Sequence, residues 1–222
     1  MRTAILAFVL CLAGGQTALA GAWLREEGKG FASVSATATQ ERDYSGSLYL
    51  EYGLTPRHTV GADISLGLDR TGQQNGSGVF FVRMPIGPTD QTHRFAGHLG
   101  LGGRYTNGIF SPALEAGLSW GRGVKWRDSW GWAAVDASIN LPRAPAEERI
   151  KIDGTFGMPI AKTVKGMIQM FNTFEDGQVF SDLAPSLLWQ PRGGAYTIQI
   201  GAEFAVSGGG DDALKIGLWR DF

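Results

Sequence analysis

The residues with the clearest potential for chemistry lie near the middle of the chain. His98 shares one face of a predicted strand with Arg94 and Arg104, because all three occupy even positions of an alternating run. The next run along the chain places Glu115 on the corresponding face. Charged side chains of both signs on one face can select small polar solutes through their field and hydrogen bonds. An imidazole is also the general base that a hydrolase needs beside its nucleophile.

Strand-like segments must position these side chains, because apolar and polar residues alternate with a period of two along most of the chain. Between 58 and 69, for example, apolar residues fill the even positions from Val60 to Leu68, and polar residues or glycines fill the odd ones. We predict twelve such segments, at 30–40, 46–55, 58–69, 77–86, 93–105, 109–121, 131–141, 149–158, 164–174, 181–190, 195–206 and 213–222.

Turn residues separate the segments. Asn75-Gly76 and Asn107-Gly108 are dipeptides that favour tight hairpin connections. No connection exceeds about ten residues, so neighbouring segments are predicted to pair antiparallel. Pro112 and Pro185 fall inside segments, and because proline donates no backbone hydrogen bond we expect each at a bulge or a strand end.

The N-terminus carries the pattern of a secretory leader. Arg2 precedes an apolar run, and Ala18-Leu19-Ala20 is the small-x-small pattern of a signal-peptidase site, which predicts a signal peptide over residues 1–20. Residues 21–28 then form a polar periplasmic lead-in, or a short plug, and residues 29–222 form the remaining domain. The only cysteine, Cys11, lies in the leader, so no disulfide framework is expected.

Composition narrows the class of protein further. With 20 basic and 21 acidic side chains, the chain has no charge excess for nucleic acid, and we expect no cofactor and no metal. After the leader, no apolar run reaches the roughly 18 residues of a membrane-spanning helix. A location in a membrane therefore requires strands, closed into a barrel so that every backbone polar group is paired.

The last segment carries a specific resemblance. Leu214, Ile216 and Leu218 alternate with Lys215, Gly217 and Trp219, and the chain ends on Phe222. Together with the leader, the alternation and the turns, this resembles the closing strand of Gram-negative outer-membrane β-barrels, in which that strand is recognised by the barrel-assembly machinery. The resemblance implies a closed antiparallel transmembrane β-barrel of about twelve strands in an up-and-down meander, set in outer-membrane lipid, with Phe222 as assembly signal.

A barrel of this kind has a polar lumen, and parity in the strands predicts which side chains line it. They are Glu51, Asp63, Arg83, Arg94, His98, Arg104, Glu115, Asp136, Lys151, Asp153, Gln199, Glu203 and Lys215. All seven tryptophans fall toward the periplasmic end, where an indole suits the membrane interface. We predict Trp120, Trp126, Trp130, Trp189 and Trp219 as interface aromatics, although Trp219 has the parity of the lumen.

The sequence favours a passive channel for small polar solutes and leaves three alternatives open. The first is a structural or interaction barrel whose filled lumen conducts nothing, since interior ion pairs can simply fill a narrow barrel. The second is a soluble periplasmic β-sandwich or lipid-carrying barrel with its apolar face inside. The third is an outer-membrane lipid hydrolase using His98, which we do not favour because Ser65 lies two strands away. We therefore expect no enzymatic activity.

Overall fold

The structure is a computed structural model that describes residues 21–143 and 147–222. The predicted signal peptide, residues 1–20, lies outside the described residues. Twelve β-strands follow one another: β1 (Gly30–Thr39), β2 (Tyr44–Thr55), β3 (His58–Leu68), β4 (Gln74–Pro85), β5 (His93–Thr106), β6 (Ile109–Trp126), β7 (Ser129–Pro142), β8 (Arg149–Ala161), β9 (Val164–Glu175), β10 (Gln178–Trp189), β11 (Tyr196–Ser207) and β12 (Ala213–Asp221). Among the described residues, no helix is long and apolar enough to cross a membrane.

The strands close into a single barrel, which confirms the predicted fold class. Each strand pairs antiparallel with the strands before and after it in sequence, and β1 pairs with β12 from Phe31–Asp221 to Thr39–Ala213. Two backbone hydrogen bonds between Gly30 and Phe222, of 2.7 and 2.9 Å, extend this seam by one residue. Because the barrel is closed, its sheet has no free edge. The connections span two to seven residues, which leaves no room for long inserted loops.

The barrel has two ends, which we name by the chain termini. The terminal end holds Gly30 and Phe222, and the opposite, distal end holds the connections after the odd-numbered strands. Residues Leu66, Ile152 and Ile200 are 65%, 41% and 61% exposed on the outer surface. A sandwich or a lipid-carrying barrel would bury them, so the apolar face here is the outer one.

One predicted turn is wrong, and the hydrogen bonds show why. Asn75-Gly76 lies within β4, because the chain has already turned at 69–73. There the Asp69 carboxylate accepts hydrogen bonds from the backbone nitrogens of Thr71 and Gln73, at 2.8 and 2.9 Å. This side chain closes the connection before the Asn-Gly dipeptide is reached.

The largest departure is the hairpin of β6 and β7. The predicted segments end at 121 and restart at 131, whereas the structure continues both strands to a two-residue turn at Arg127 and Asp128. Arg127 adopts a positive φ of 51°, which a non-glycine residue rarely signals in sequence.

The two prolines sit where a missing donor is tolerated. The carbonyl of Pro112 accepts a hydrogen bond from the backbone nitrogen of Arg143, one residue past the end of β7. The nitrogen of Pro112, which has no hydrogen to donate, therefore faces the end of the β6–β7 ladder. Pro185 pairs with Ile168 of β9, but the ladder from β10 to β11 is interrupted at 184–185. Pro185 therefore lies inside β10, at neither a strand end nor the register shift at Ser181 and Asp182.

Candidate functional site

The inner wall of the barrel surrounds a cavity of about 360 Å³. Side chains of both signs line it, together with serines and aromatic rings. Of the predicted lumen residues, those that line the cavity are Asp63, Arg83, His98, Glu115, Asp136, Lys151, Asp153, Gln199 and Lys215.

The other four predicted lumen residues lie elsewhere on the inner parity. Glu51 bonds to Arg83 beneath the cavity, and Glu203 bonds to Lys215 at 2.7 Å. Arg104 lies toward the distal end, where it bonds to Glu175. Arg94 pairs with Gly121 toward the terminal end and is not among the residues that line the cavity.

The N-terminal segment, residues 21–28, enters the barrel at its terminal end. Gly21 lines the cavity, and Ala22 is only 2% exposed. The Trp23 ring lies over Gly121, where an added Cβ would come within 2.2 Å of Trp23 Cζ3. This close approach requires glycine on the wall beneath the indole.

A cluster of apolar side chains receives this segment. Trp132, Met167 and Leu188 form its buried part, and Trp23 and Trp219 pack against it. The Trp132 ring in turn covers Gly157 of the neighbouring strand, whose added Cβ would lie 2.2 Å from Cη2. The terminal end of the lumen is therefore filled by side chains of the wall together with the N-terminal segment.

A buried ion triad ties the segment to the wall. Arg25 donates from Nε to Glu51 Oε2 at 2.7 Å, and Arg83 donates from Nη1 to Glu51 Oε1. Tyr49 donates its hydroxyl to the same Oε1 at 2.6 Å. The backbone nitrogen of Arg25 also donates to Thr59 Oγ1 at 2.9 Å. With the Glu51 side chain 1% exposed, both arginines compensate a charge that has no access to water.

A second triad of the same composition lies at the distal end. Glu175 accepts hydrogen bonds from Arg104 and from Arg149, the latter at 2.6 Å from Nη2. The Glu175 side chain is 24% exposed, so this triad is more solvated than the one at Glu51. Sequence reasoning missed Glu175 and Arg149, which pair directly at the ends of β9 and β8. Arg149 has the parity of Lys151 within β8, and Glu175 has the parity of Gln169 within β9, so the alternation of each strand indicates the inner face for both.

His98 is engaged by a carboxylate. Its Nε2 lies 3.3 Å from Glu115 Oε1, and Asn140 donates to Glu115 Oε2 at 3.4 Å. The hydroxyl of Ser65 instead shares a hydrogen bond of 2.8 Å with Ser77. Among the described residues, no hydrogen bond joins His98 to a serine, and no group of His, Cys, Asp and Glu is arranged to hold a metal ion.

The predicted interface tryptophans occupy different surroundings. Trp126, Trp130 and Trp189 are exposed, and Trp120 donates from Nε1 to His93 Nδ1 at 3.0 Å. Trp219 differs from the prediction, because it lies inside the barrel. It donates from Nε1 to Gln199 Oε1 at 3.1 Å and packs edge-on against Phe31.

The closed twelve-stranded meander with its apolar exterior and polar lumen is the fold of outer-membrane β-barrel proteins. Several solved structures of that class are similar to the chain. A KdgM porin gives a TM-score of 0.60 at 7% identity, covering 86% of this chain and 99% of the porin. The COG4313 outer membrane channel from Pseudomonas putida F1 gives 0.56 at 11% identity, covering 93% and 100%. LpxR from Salmonella typhimurium gives 0.53 at 6% identity, covering 86% and 99%.

No protein-family model matches the chain, and no curated protein matches it. At identities this low, the structural likeness shows the fold alone.

Proposed function

We propose that the protein is an outer-membrane channel for small polar solutes, and that the N-terminal segment closes its periplasmic end. The observation that carries the proposal is the cavity of about 360 Å³ inside the barrel, which is lined by charged side chains of both signs. A lumen of this kind exchanges a solute's hydration for polar side chains. The KdgM porin and the COG4313 outer membrane channel, which share this fold, support a conducting barrel.

The terminal end is taken to face the periplasm, because both ends of the barrel domain meet there. The segment that fills this end must then move for a solute to pass. Arg25 and Trp23 are its principal attachments, through the Glu51 ion pair and the apolar cluster. The proposal is therefore a channel with an internal plug rather than a permanently open pore.

Planar-bilayer recording of the refolded chain tests the function. We expect rare current steps from the wild-type chain and frequent ones from a Trp23→Ala/Arg25→Gln variant, whose plug has lost both attachments. Trp126→Ala is the matched control, because Trp126 is 68% exposed outside the lumen and its loss leaves the plug in place. A Lys151→Gln change in the plug-loosened background should alter ion selectivity, since Lys151 lines the cavity.

One observation favours a second candidate, a structural barrel that conducts nothing. The plug and two ion triads occupy much of the lumen. This candidate predicts no current from any variant while the protein still migrates as a folded, heat-modifiable barrel in gels. That result would refute the channel.

A further inference from the structure

The surroundings of the Arg25 side chain form a complete recognition site for a flat cation. We propose that this site binds the guanidinium or amine group of a solute, and that the N-terminal segment occupies it as an internal competitor. The inference deepens the proposed channel function and rests on it. It names the chemical class of solute that opens the plug.

Three groups surround the Arg25 guanidinium. Glu51 Oε2 accepts from Nε at 2.7 Å, and Asp221 Oδ1 lies 3.5 Å from Nη1. The Phe31 ring lies beneath the guanidinium, with its centroid 4.6 Å from Cζ. Carboxylates at the edge and an aromatic face below are the groups that recognise a guanidinium or ammonium ion. Arg25 shows that such a group fits the site.

The site is held in shape by residues of the wall, independently of Arg25. The Oε1 atom of Glu51 is taken by the Tyr49 hydroxyl and by Arg83, whereas Oε2 accepts from Arg25. The Phe31 ring is fixed by edge-on contacts with Tyr49 and Trp219. If Arg25 leaves, a buried carboxylate oxygen loses its hydrogen-bond donor, which is costly and favours the entry of another cation.

A solute can reach this site from the lumen. Arg25 and Phe31 both line the central cavity, as do Tyr49 and Arg83. An incoming cation therefore approaches the site from the central cavity and not from the terminal end.

Outside the ion pair, the plug is held by the packing of Trp23 on the apolar cluster and by backbone hydrogen bonds. Its backbone hydrogen bonds include Arg25 nitrogen to Thr59 Oγ1 and Gly28 nitrogen to the Gly53 carbonyl, each 2.9 Å. A solute that takes the place of the guanidinium removes the buried ion pair that fixes the segment. Binding of the solute and withdrawal of the plug are then coupled, each favouring the other.

Chemical rescue tests the site without any current. Arg25→Gln should melt at a lower temperature than the wild-type chain, and millimolar methylguanidinium chloride should restore much of the loss. Sodium chloride at equal ionic strength should not. In Arg25→Gln/Glu51→Gln, the apparent affinity for methylguanidinium should fall at least ~10-fold, because the anchoring carboxylate is gone. No rescue of Arg25→Gln, or equal rescue of both variants, overturns the proposal.

A second measurement uses the otherwise wild-type chain, so it does not depend on the folding of Arg25→Gln. The only native cysteine is Cys11 in the predicted leader, so Ala22→Cys leaves one thiol in the chain without its leader. Ala22 belongs to the plug and is 2% exposed, so withdrawal of the plug by methylguanidinium should raise the rate at which a charged reagent labels the Ala22→Cys thiol several-fold. Gln91→Cys, in an exposed turn, should label at one rate throughout. Equal rates for Ala22→Cys with and without methylguanidinium refute the internal competition.

These outcomes separate the site from the channel. Rescue and faster labelling in a protein that passes no current would retain the site and refute the channel. Current from a protein that shows neither effect would retain the channel and refute the site.

Discussion

Replacing Glu51 by glutamine removes the negative charge that two buried arginines share. The side chains of Arg25 and Arg83 are 10% and 6% exposed, so neither guanidinium regains full hydration when the carboxylate is lost. Breaking a buried ion pair by removing one partner typically costs about 3–5 kcal/mol. Because glutamine keeps the side-chain volume and one acceptor oxygen, we expect the lower part of that range, about 3 kcal/mol of unfolding free energy.

The chain supplies its own control for this prediction. Glu175 also bridges two arginines, Arg104 and Arg149, but its side chain is 24% exposed against 1% for Glu51. Water can solvate the distal arginines after Glu175→Gln, so the expected loss there is about 1 kcal/mol. The pair of variants differs mainly in burial.

Urea unfolding of the refolded barrel in lipid vesicles, followed by tryptophan fluorescence, measures both losses. If Glu51→Gln is as stable as Glu175→Gln, burial does not set the energy of the triad and the reasoning is refuted. In Arg25→Gln/Arg83→Met/Glu51→Gln no uncompensated charge remains. If the stability lost in Glu51→Gln is regained in this triple variant, the result supports the reasoning.

Three further predictions concern other parts of the barrel. Gly157→Ala should lower the unfolding free energy by about 1–3 kcal/mol in the same urea assay, because the added Cβ would overlap the buried ring of Trp132. Gly154→Ala is the control: open space surrounds its added Cβ, so the loss should be less than about 0.5 kcal/mol. Hydrogen bonds from Thr71 and Gln73 lower the pKa of Asp69. The 69–73 connection should therefore be fully ordered at neutral pH and lose order as the pH falls through that lowered pKa. Amide hydrogen exchange of the connection measures this order, and an exchange rate that does not change with pH beyond its intrinsic dependence would contradict the prediction. Phe222→Ala should reduce the amount of folded barrel in the outer membrane of expressing cells, measured by heat-modifiable gel migration, and undiminished assembly would show that Phe222 is not the assembly signal.

The strand pattern was predictable because register and burial obey one period. A shift of one residue would turn Leu66 inward and Asp63 outward, so each strand with a clear alternation has only one acceptable orientation. The parity that identifies lumen residues follows from the same constraint. It predicts Arg83 and Glu115 on the inner face, and both line the cavity.

Features that depend on side chains meeting across the lumen were not predictable from the sequence. The position of Arg25 against Glu51 joins residues 26 positions apart through the curvature of the barrel, and no local pattern encodes it. The extended hairpin at Arg127 was missed because its turn lacks glycine, asparagine and proline at the bend, and because Arg122 interrupts the apolar face of β6.

The strands differ twofold in length, from nine residues in β12 to eighteen in β6. At roughly 3.3 Å per residue, the wall containing β6 is about twice as tall as the wall at the β1–β12 seam. In a bilayer of uniform thickness such a barrel tilts its axis, or compresses the lipid beside the short strands. Where the lipid is compressed rather than the axis tilted, the surrounding membrane is thinnest beside the β1–β12 seam.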